Sequence, residues 1–593
     1  MPSVSIRTLA SDVNARITSA EEVVRQTVMR AAAYQEIQPE AWISRVPEEH
    51  LRLQARQVDQ RIARGESLPL AGVPFAVKDN IDVAGLTTTA ACPDFAYRPT
   101  GSAPVVARLL EAGALVVGKT NLDQFATGLV GTRSPYGSLG CVFNREYVSG
   151  GSSSGSAVLV AAGVVPLALG SDTAGSGRVP AAFNNLVGFK PTRGRWSSRG
   201  LVPACRSLDC ISALTTNVQD AALVDSLLAN FDRDDAFSRR APRNGAVPDR
   251  RICVGVPHAS QLRELAPEDE AAYRAALGRL PGIGAVIIEV DAAPLFAAAQ
   301  LLYGPWVAER TAVLESLLAK NPTAIHPVVR SIVQAGKGIS GVDTFRGLYA
   351  LQEFARAAEE LWDKVDLLAL PTTPTIYRRT EVLAEPYQLN AHLGAYTNFV
   401  NLLDMCAVSV PAGFRGNCTG VGVSFIGPAW TDSRLLEFAR RYAGIPTEYA
   451  VPQLDLRANP PRVPLAVVGA HLSGMPLHSQ LTAREARLVQ RTRTAPRYRL
   501  FAMSGEKPPK PALVHCGEGG NSIEVEVYEL EVSSFGSFVA DVAAPLAIGS
   551  VTLEDGTSVC GFVCEPRALE GAADISADGG WRAYLTRTGG SSS

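Results

Sequence analysis

The chain has 593 residues, of which 46% are apolar and 19% are charged, and its formal net charge at neutral pH is -2. A chain of this length is too long for one compact core, so we predict a large domain and a smaller one. The apolar content excludes a disordered chain. The small net charge, with Lys and Arg scattered along the sequence, gives no reason to expect nucleic acid as a partner.

The N-terminal segment lacks the apolar core of a signal peptide. The longest apolar run, around residues 157–169, is too short and too rich in glycine to span a bilayer. We therefore expect a cytoplasmic protein that does not contact membranes. The ten cysteines include no C-x-x-C pair, and Cys560 and Cys564 have no accompanying cluster of ligands, so we expect no metal and no cofactor.

The first predicted element is an amphipathic helix through Leu9, Val13 and Ile17, which recur at helical spacing. Residues 136–156 are rich in Gly and Ser and are predicted to form a loop. Strands that alternate with helices along the chain predict an α/β core with a largely parallel or mixed sheet. The periodicity further predicts helices over 51–66, 104–112 and 157–165, mostly helical structure over 264–340, and strands over 70–77, 114–117, 166–172, 367–370 and 406–411.

A polar, proline-rich segment at 454–464 is the best candidate for a domain boundary. After it, short strand-like runs dominate the sequence. We therefore predict a catalytic domain over 1–455, a linker over 456–464, and a smaller β-rich domain over 465–593.

Two formal motif matches do not fit their contexts. Residues 113–120, GALVVGKT, satisfy the P-loop pattern, but the four residues between the glycines are Ala, Leu, Val and Val, which are typical of a strand. Residues 151–155, GSSSG, satisfy the nucleophile-elbow pattern around Ser153, but a polar segment precedes them. His258, His326 and His392 each lie in an unremarkable context, so a Ser-His-Asp hydrolase is disfavoured.

Three other features fit together as a catalytic site. Lys78 directly follows an apolar strand, residues 150–156 read GGSSSGS, and residues 170–180 read GSDTAGSGRVP. No histidine lies between Lys78 and Ser176, so a serine nucleophile here needs another base. A buried lysine loses hydration, which lowers its pKa and supplies a neutral amine. A second serine can relay a proton from Ser176 to this amine, because a hydroxyl both donates and accepts. Residue types alone do not identify which serine of 150–156 has this role.

The turn before Ser176 consists of small residues, namely Thr173, Ala174 and Gly175. Successive backbone N–H groups in such a turn can point at one spot, so we predict that these three residues form the oxyanion hole.

The run 150–180 resembles the signature of the amidase signature family over its whole length. The resemblance extends to residues 78–80, 118–121, 123–126 and 187–192, and covers about 450 residues in all. It implies the amidase signature fold, a mixed central sheet flanked by helices, and a Ser-cis-Ser-Lys triad. Carried over, the base is Lys78, the serine after a cis peptide bond is Ser152, and the nucleophile is Ser176.

Two segments resemble the allophanate hydrolase branch of that family. They are residues 171–185, SDTAGSGRVPAAFNN, in which Ala174 stands where many members have glycine, and residues 303–310, YGPWVAER. The resemblance implies that Tyr303 and Arg310 hold a substrate carboxylate, and a guanidinium matches a carboxylate in bidentate geometry.

Residues 469–478, GAHLSGMPLH, resemble the start of the extra domain of this branch, thought to have a γ-glutamyl-cyclotransferase-like fold. In the family that domain is linked to decarboxylation of N-carboxycarbamate, the first product. His478 is the candidate for a role there, and Glu526 is a weaker one.

The expected reaction is hydrolysis of allophanate to ammonia and carbon dioxide through an acyl-enzyme on Ser176. The family implies a homodimer, and the substrate would come from a separate urea carboxylase or a biuret-producing pathway, between which the sequence does not choose. One alternative is an amidase of the same chemistry for another substrate, such as a small carboxylate-bearing amide like malonamate or a biuret-like compound. An inactive scaffold is a second alternative, against which the intact Lys78, Ser152 and Ser176 argue.

Overall fold

The structure is a computed structural model that describes residues 5–242, 251–457, 461–506 and 508–588. The chain divides into two units, each with its own apolar core. Unit 1 comprises residues 1–134, 138–316 and 331–457, and unit 2 comprises residues 135–137, 317–330 and 458–593. The domain boundaries that the sequence predicts stay predictions, and residues 458–460 of the predicted linker lie outside the described residues.

The strands before residue 458 supply the central sheet of unit 1. They are β1 (Trp42–Arg45), β2 (Pro74–Lys78), β3 (Leu115–Thr120), β4 (Gly140–Cys141), β5 (Asn144–Val148), β6 (Leu167–Asp172), β7 (Val187–Lys190), β8 (Cys210–Thr215), β9 (Cys253–Pro257), β10 (Val286–Val290), β11 (Leu367–Pro371), β12 (Met405–Phe414) and β13 (Gly420–Pro428). Among the described residues, eleven of them form one sheet in the order β1-β3-β2-β6-β8-β7-β12-β13-β11-β9-β10. Parallel and antiparallel neighbours both occur, which confirms the predicted mixed sheet.

Helices accompany this sheet. Before residue 458 they are α1 (Ile6–Asn14), α2 (Ala20–Gln35), α3 (Glu48–Ala63), α4 (Pro104–Glu111), α5 (Ser154–Ala161), α6 (Arg178–Phe183), α7 (Val218–Leu228), α8 (Pro267–Gly278), α9 (Ala293–Gln300), α10 (Pro305–Lys320), α11 (Pro327–Ala335), α12 (Gly341–Trp362), α13 (Arg379–Ala384), α14 (Gln388–Leu393), α15 (Phe399–Leu402) and α16 (Asp432–Ala443). The residues of α5 are apolar or small on every side, so this helix is buried in the core beside β2 and β6.

Two local predictions were wrong. The first helix ends at Asn14 and buries Ile6, Ala10 and Val13, whereas Ile17 lies beyond the helix and is 76% exposed. The predicted loop over 136–156 contains a short antiparallel hairpin of β4 and β5. By contrast, the residues of the formal P-loop match form β3, as their apolar character predicted.

Unit 2 is smaller and rich in strands, as predicted. Its elements after residue 460 are β14 (Arg462–Val467), α17 (His478–Thr482), β15 (Arg487–Arg493), β16 (Tyr498–Ala502), β17 (Pro511–His515), β18 (Glu524–Glu531), α18 (Val532–Ala540), β19 (Leu546–Thr552), β20 (Ser558–Cys564), β21 (Ala573–Asp574) and α19 (Trp581–Thr588). Two sheets form from the described strands, in the orders β15-β18-β14-β20-β19 and β17-β16-β21. The likeness to a γ-glutamyl-cyclotransferase fold stays a prediction.

No helix in the described ranges has both the length and the apolar character needed to cross a membrane.

Candidate active site

A buried lysine lies at the carboxyl end of β2. Because β2 and β6 are parallel neighbours, with Val77 opposite Leu169, their carboxyl ends reach the same edge of the sheet. The edge at which strands end is where open α/β sheets commonly place their ligands. Here the Lys78 Nζ donates hydrogen bonds to the Oγ of Ser152 at 2.7 Å and the Oγ of Ser171 at 2.8 Å. The structure therefore brings the predicted base and the predicted relay serine together.

The environment of Lys78 favours its neutral form. The side chain is fully buried, and the loss of hydration lowers the pKa of Lys78 to about 7, although the negative charges of Asp123, Asp209 and Asp172 oppose this shift. A lysine with such a pKa is largely a neutral amine slightly above pH 7, and a neutral amine can accept a proton from a hydroxyl.

The serine beside Lys78 lies in a tightly packed backbone segment. The peptide bond between Gly151 and Ser152 is cis, as the resemblance implied. Gly150 has a φ of 72°, and a Cβ there would lie 2.7 Å from a backbone atom, so glycine is required at this position. The Ser153 N–H donates to the carbonyl oxygen of Ser176 at 3.2 Å, which ties this segment to the predicted nucleophile turn.

The nucleophile turn is organised by the carboxylate of Asp172, the last residue of β6. This carboxylate accepts hydrogen bonds from the backbone N–H groups of Gly175 at 2.8 Å and Gly177 at 3.1 Å. It also accepts two from the buried Arg178 guanidinium, both at 2.9 Å. Burial would raise the pKa of Asp172, but the charge and hydrogen bonds of Arg178 lower it below the usual value. Four donors therefore hold the turn that carries Ser176.

Ser176 follows this turn and is itself almost fully buried. Within the described part of the chain, its Oγ has one hydrogen bond, a long one of 3.5 Å to the carbonyl oxygen of Gly128. The structure does not bring the hydroxyls of Ser176 and Ser152 into hydrogen-bond contact. Such contacts are often long without substrate and shorten in the reacting complex.

A cavity of about 300 Å³ opens onto Ser176 and is also lined by Tyr303 and Arg310. Arg310, on α10, is 9% exposed and donates through Nη1 to the Oγ1 of Thr127 at 3.1 Å. Tyr303 is 45% exposed, and its hydroxyl accepts a hydrogen bond from the Asn398 side-chain amide at 2.9 Å. The two residues expected to bind a carboxylate therefore share one cavity with the expected nucleophile.

The three residues expected to form the oxyanion hole differ in their backbone contacts. Thr173 and Ala174 line the cavity with Ser176, whereas the N–H of Gly175 already donates to Asp172. Because this N–H has an acceptor, Gly175 is the least suited of the three to bind an oxyanion.

Sequence reasoning gave no role to several residues at this site. They are Ser171, Asp172 and Arg178, which border the nucleophile, and Asp209, which accepts hydrogen bonds from the Thr173 hydroxyl and from backbone N–H groups of residues 204 and 205. Arg133, which also lines the cavity, was missed entirely. The signal for Asp172 was available, because an aspartate at the start of a turn commonly bonds the backbone of that turn. Asp209 and Arg133 each have one partner in a distant segment, Thr173 for Asp209 and Pro386 for Arg133, and the local sequence carries no signal for those contacts.

A second polar cluster lies in unit 2, around the candidate His478. The His478 Nε2 lies 3.2 Å from the Tyr528 hydroxyl, which donates to Glu526 at 3.0 Å. Glu526 is fully buried and pairs with Arg491 at 3.0 Å and Arg582 at 2.9 Å. Burial lowers the pKa of His478 to about 4, so its imidazole is neutral at pH 7. The structure therefore joins His478 to Glu526, through a tyrosine that the sequence had not indicated.

In the described ranges, no group of three or more His, Cys, Asp or Glu side chains is placed to hold a metal ion. Cys560 and Cys564 lie on the same strand, β20, and have free thiols.

This site combines a buried lysine with serine hydroxyls at the strand ends, and sequence comparison assigns the class of protein. The sequence model of the Amidase family matches residues 22–436, and that of the allophanate hydrolase C-terminal domain matches residues 463–586. The chain is 37% identical over 463 residues to a glutamyl-tRNA(Gln) amidotransferase subunit from Deinococcus radiodurans, covering 73% of this chain and 95% of that protein. The chain therefore belongs to the amidase family and is an amidohydrolase.

Two further relatives share both parts of the chain. The urea amidolyase of Saccharomyces cerevisiae is 44% identical over 572 residues, which cover 92% of this chain and 31% of that protein. The chain thus spans about a third of the length of this curated relative. The solved structure of Kluyveromyces lactis allophanate hydrolase is 39% identical, with a TM-score of 0.70 over 99% of both chains. These matches place the chain in the allophanate hydrolase branch of the family.

The pKa of Lys78 predicts how amide hydrolysis depends on pH. If the neutral amine is the base, kcat/KM should rise as Lys78 loses its proton around pH 7 and level off above about pH 8. A pH–rate profile of ammonia release between pH 5.5 and 9 measures this.

A histidine could produce a similar profile, so His392 provides the control. It lies on α14 and contacts the Tyr377 hydroxyl at 2.6 Å. The rise near pH 7 should persist in His392→Gln. A flat profile, or a rise that disappears in this variant, would contradict the role of Lys78.

Proposed function

We propose that the chain hydrolyses allophanate, urea-1-carboxylate, to ammonia and carbon dioxide, with no cofactor. The observation that carries this proposal is the single cavity in which Ser176 and the buried Arg310 both lie. Allophanate carries a carboxylate and a terminal amide in one small molecule, so it offers a partner for each residue. The likeness to Kluyveromyces lactis allophanate hydrolase over 99% of both chains supports the same substrate.

In the first half of the reaction, neutral Lys78 takes a proton from Ser152, and Ser152 takes one from Ser176. The Ser176 Oγ attacks the terminal amide carbon, and the negative oxygen is stabilised by the backbone N–H groups of Thr173 and Ala174. The C–N bond then breaks, the relay returns a proton to the nitrogen, and ammonia leaves. Ser176 retains the acyl group as an ester, while Arg310 and Tyr303 hold the carboxylate.

In the second half, the same relay removes a proton from a water molecule, which attacks the ester carbon. The ester bond breaks, Ser176 regains its proton, and N-carboxycarbamate leaves. Loss of carbon dioxide from N-carboxycarbamate gives carbamate, which decomposes to ammonia and a second carbon dioxide.

Replacing the nucleophile should abolish this chemistry. In Ser176→Ala the release of ammonia from allophanate should fall by at least about 10³-fold, because no acyl-enzyme can form. Ser154→Ala is a matched control, since this buried serine bonds the Asn121 carbonyl at 3.4 Å, and it should retain most activity. Near-normal turnover in Ser176→Ala would contradict the proposed nucleophile.

Arg310 should select for the carboxylate. Arg310→Ala should raise the KM for allophanate by about 10- to 100-fold, the usual loss for a hydrogen bond to a charged group. The KM for biuret, in which a neutral amide replaces the carboxylate, should change by less than about threefold. Steady-state kinetics on both compounds measure the difference, and equal losses on both would show that Arg310 does not bind the carboxylate.

We also propose that the His478 cluster of unit 2 acts in decarboxylation of N-carboxycarbamate. Support comes from the match to the allophanate hydrolase C-terminal domain and from the buried contact of His478 with Tyr528. In His478→Gln the first ammonia should appear at the normal rate, while carbon dioxide release should lag and N-carboxycarbamate should accumulate, visible by ¹³C NMR.

His471 supplies the matched control for that experiment. It is a partly buried histidine of the same unit that contacts Gln480 at 2.9 Å. His471→Gln should leave the timing of carbon dioxide release unchanged. If both variants release carbon dioxide at the normal rate, His478 has no part in the decarboxylation.

We propose further that the protein is a cytoplasmic homodimer that works with a urea-carboxylating activity or a biuret-producing pathway. The dimer is supported by Val342, Phe345 and Tyr349, which recur at helical spacing on α12 and are 60%, 58% and 65% exposed. The match to a urea amidolyase supports the link to urea carboxylation. Light scattering of the purified chain tests the dimer, and a monomeric mass would refute it.

A further inference from the structure

Arg133 lies in the wall of the Ser176 cavity and has no role in the mechanism above. Arg133 is 2% exposed, and it lines the cavity together with Arg310. Burying a guanidinium is costly unless its charge is paired, so an unpaired one at a cavity suggests a ligand.

Among the described residues, the hydrogen bonds of the Arg133 guanidinium go only to backbone oxygens. Nη1 donates to the Thr127 carbonyl at 3.0 Å, and Nη2 donates to the Pro386 carbonyl. Nε has no acceptor among the residues that the structure describes. These contacts hold the side chain in place but leave its positive charge without a carboxylate partner in the described ranges.

The carboxylate of Asp123, whose negative charge acts on Arg133, is already engaged with backbone. Its carboxylate accepts hydrogen bonds from the N–H groups of Val130 at 3.1 Å, Gly131 at 3.0 Å and Arg133 itself at 2.9 Å. Asp123 therefore moderates the charge of Arg133 from a distance and does not form an ion pair with its guanidinium.

Thr127 connects the two cations of the cavity. Its carbonyl oxygen accepts from Arg133, and its Oγ1 accepts from Arg310 at 3.1 Å. Burial lowers the pKa of Arg133, and the positive charge of Arg310 adds to this effect. Two like charges that share one threonine repel each other until an anion binds between or beside them.

We propose that Arg133 is a second specificity-determining residue, which together with Arg310 makes the cavity selective for amides that carry a carboxylate. Arg310 supplies the direct contact, and Arg133 supplies positive potential from a fixed position. The bond to the Pro386 carbonyl also fixes the wall that carries Tyr387 and Asn390, so the charge and the shape of the cavity depend on the same side chain. This inference rests on the proposed function, because it assigns selectivity for the same substrate carboxylate.

The test compares allophanate with neutral biuret in the full chain bearing Arg133→Gln or Arg133→Lys. In Arg133→Gln, kcat/KM for allophanate should fall by about 10- to 100-fold, mainly through KM, while kcat/KM for biuret should fall by less than about threefold. Arg133→Lys keeps the charge but lacks the fork that reaches two carbonyl oxygens, so it should retain much of the preference for allophanate.

One result would overturn the proposal. Equal fold losses of kcat/KM on both compounds in Arg133→Gln would leave the preference for allophanate unchanged, and would mean that Arg133 only ties two segments together and that its charge does not set the selectivity. If Arg133→Gln does not fold, Arg133→Met is measured with the same two compounds, because it also removes the charge and the same two outcomes apply to it. A wild-type chain that does not prefer allophanate to biuret would instead refute the proposed function, independently of Arg133.

Discussion

The candidate active site depends on the buried ion pair between the carboxylate of Asp172 and the guanidinium of Arg178. The carboxylate lies at the end of β6 and receives two backbone N–H groups of the following turn and two N–H groups of Arg178. Both side chains of this ion pair are fully buried, so each would be costly without the other. Asn401 holds the same turn from the opposite side by donating to the Asp172 carbonyl oxygen at 2.8 Å. The position of Ser176 is therefore set by a charge pair within the core.

Lys78 has the opposite arrangement, because it is buried without a charged partner among the described residues. Two lysines of neighbouring strands are fully buried, yet their partners differ. Lys119 on β3 pairs with Asp79 at 3.0 Å, whereas Lys78 on β2 contacts serine hydroxyls, and no carboxylate of the described chain lies within ion-pair distance of it. An adjacent carboxylate would hold the proton on the amine, while hydroxyls leave the loss of hydration largely uncompensated. The choice of partner, and not burial alone, separates the structural lysine from the proposed base.

The buried arginines show the same contrast between paired and unpaired charges. The buried guanidiniums of Arg178 and Arg415 are paired with Asp172 and Asp269, and both serve the fold. Arg133 and Arg310 line the cavity, and no carboxylate of the described residues pairs with either. The carboxylate of a bound ligand would balance the positive charge of these two arginines. The excess of positive charge in the cavity therefore supports the proposed substrate. The proposed amidase chemistry thus belongs to the strand ends, and the proposed selectivity belongs to the walls of the cavity.

The sequence by itself determined the mixed α/β class, the ends of β2 and β6, the absence of a histidine between Lys78 and Ser176, and the strand-rich second unit. These follow from local periodicity, from spacing and from residue type, all of which are properties of neighbouring positions. Only the tertiary structure decided that Asn401 bonds the Asp172 carbonyl oxygen, that Lys78 lacks an acid partner among the described residues, and that Arg133 meets Arg310 at Thr127. The physical reason is that burial and charge pairing depend on residues far apart in the chain, such as Thr127 and Pro386. For the same reason, the exposure of Ile17 could not be predicted from the periodicity of its helix.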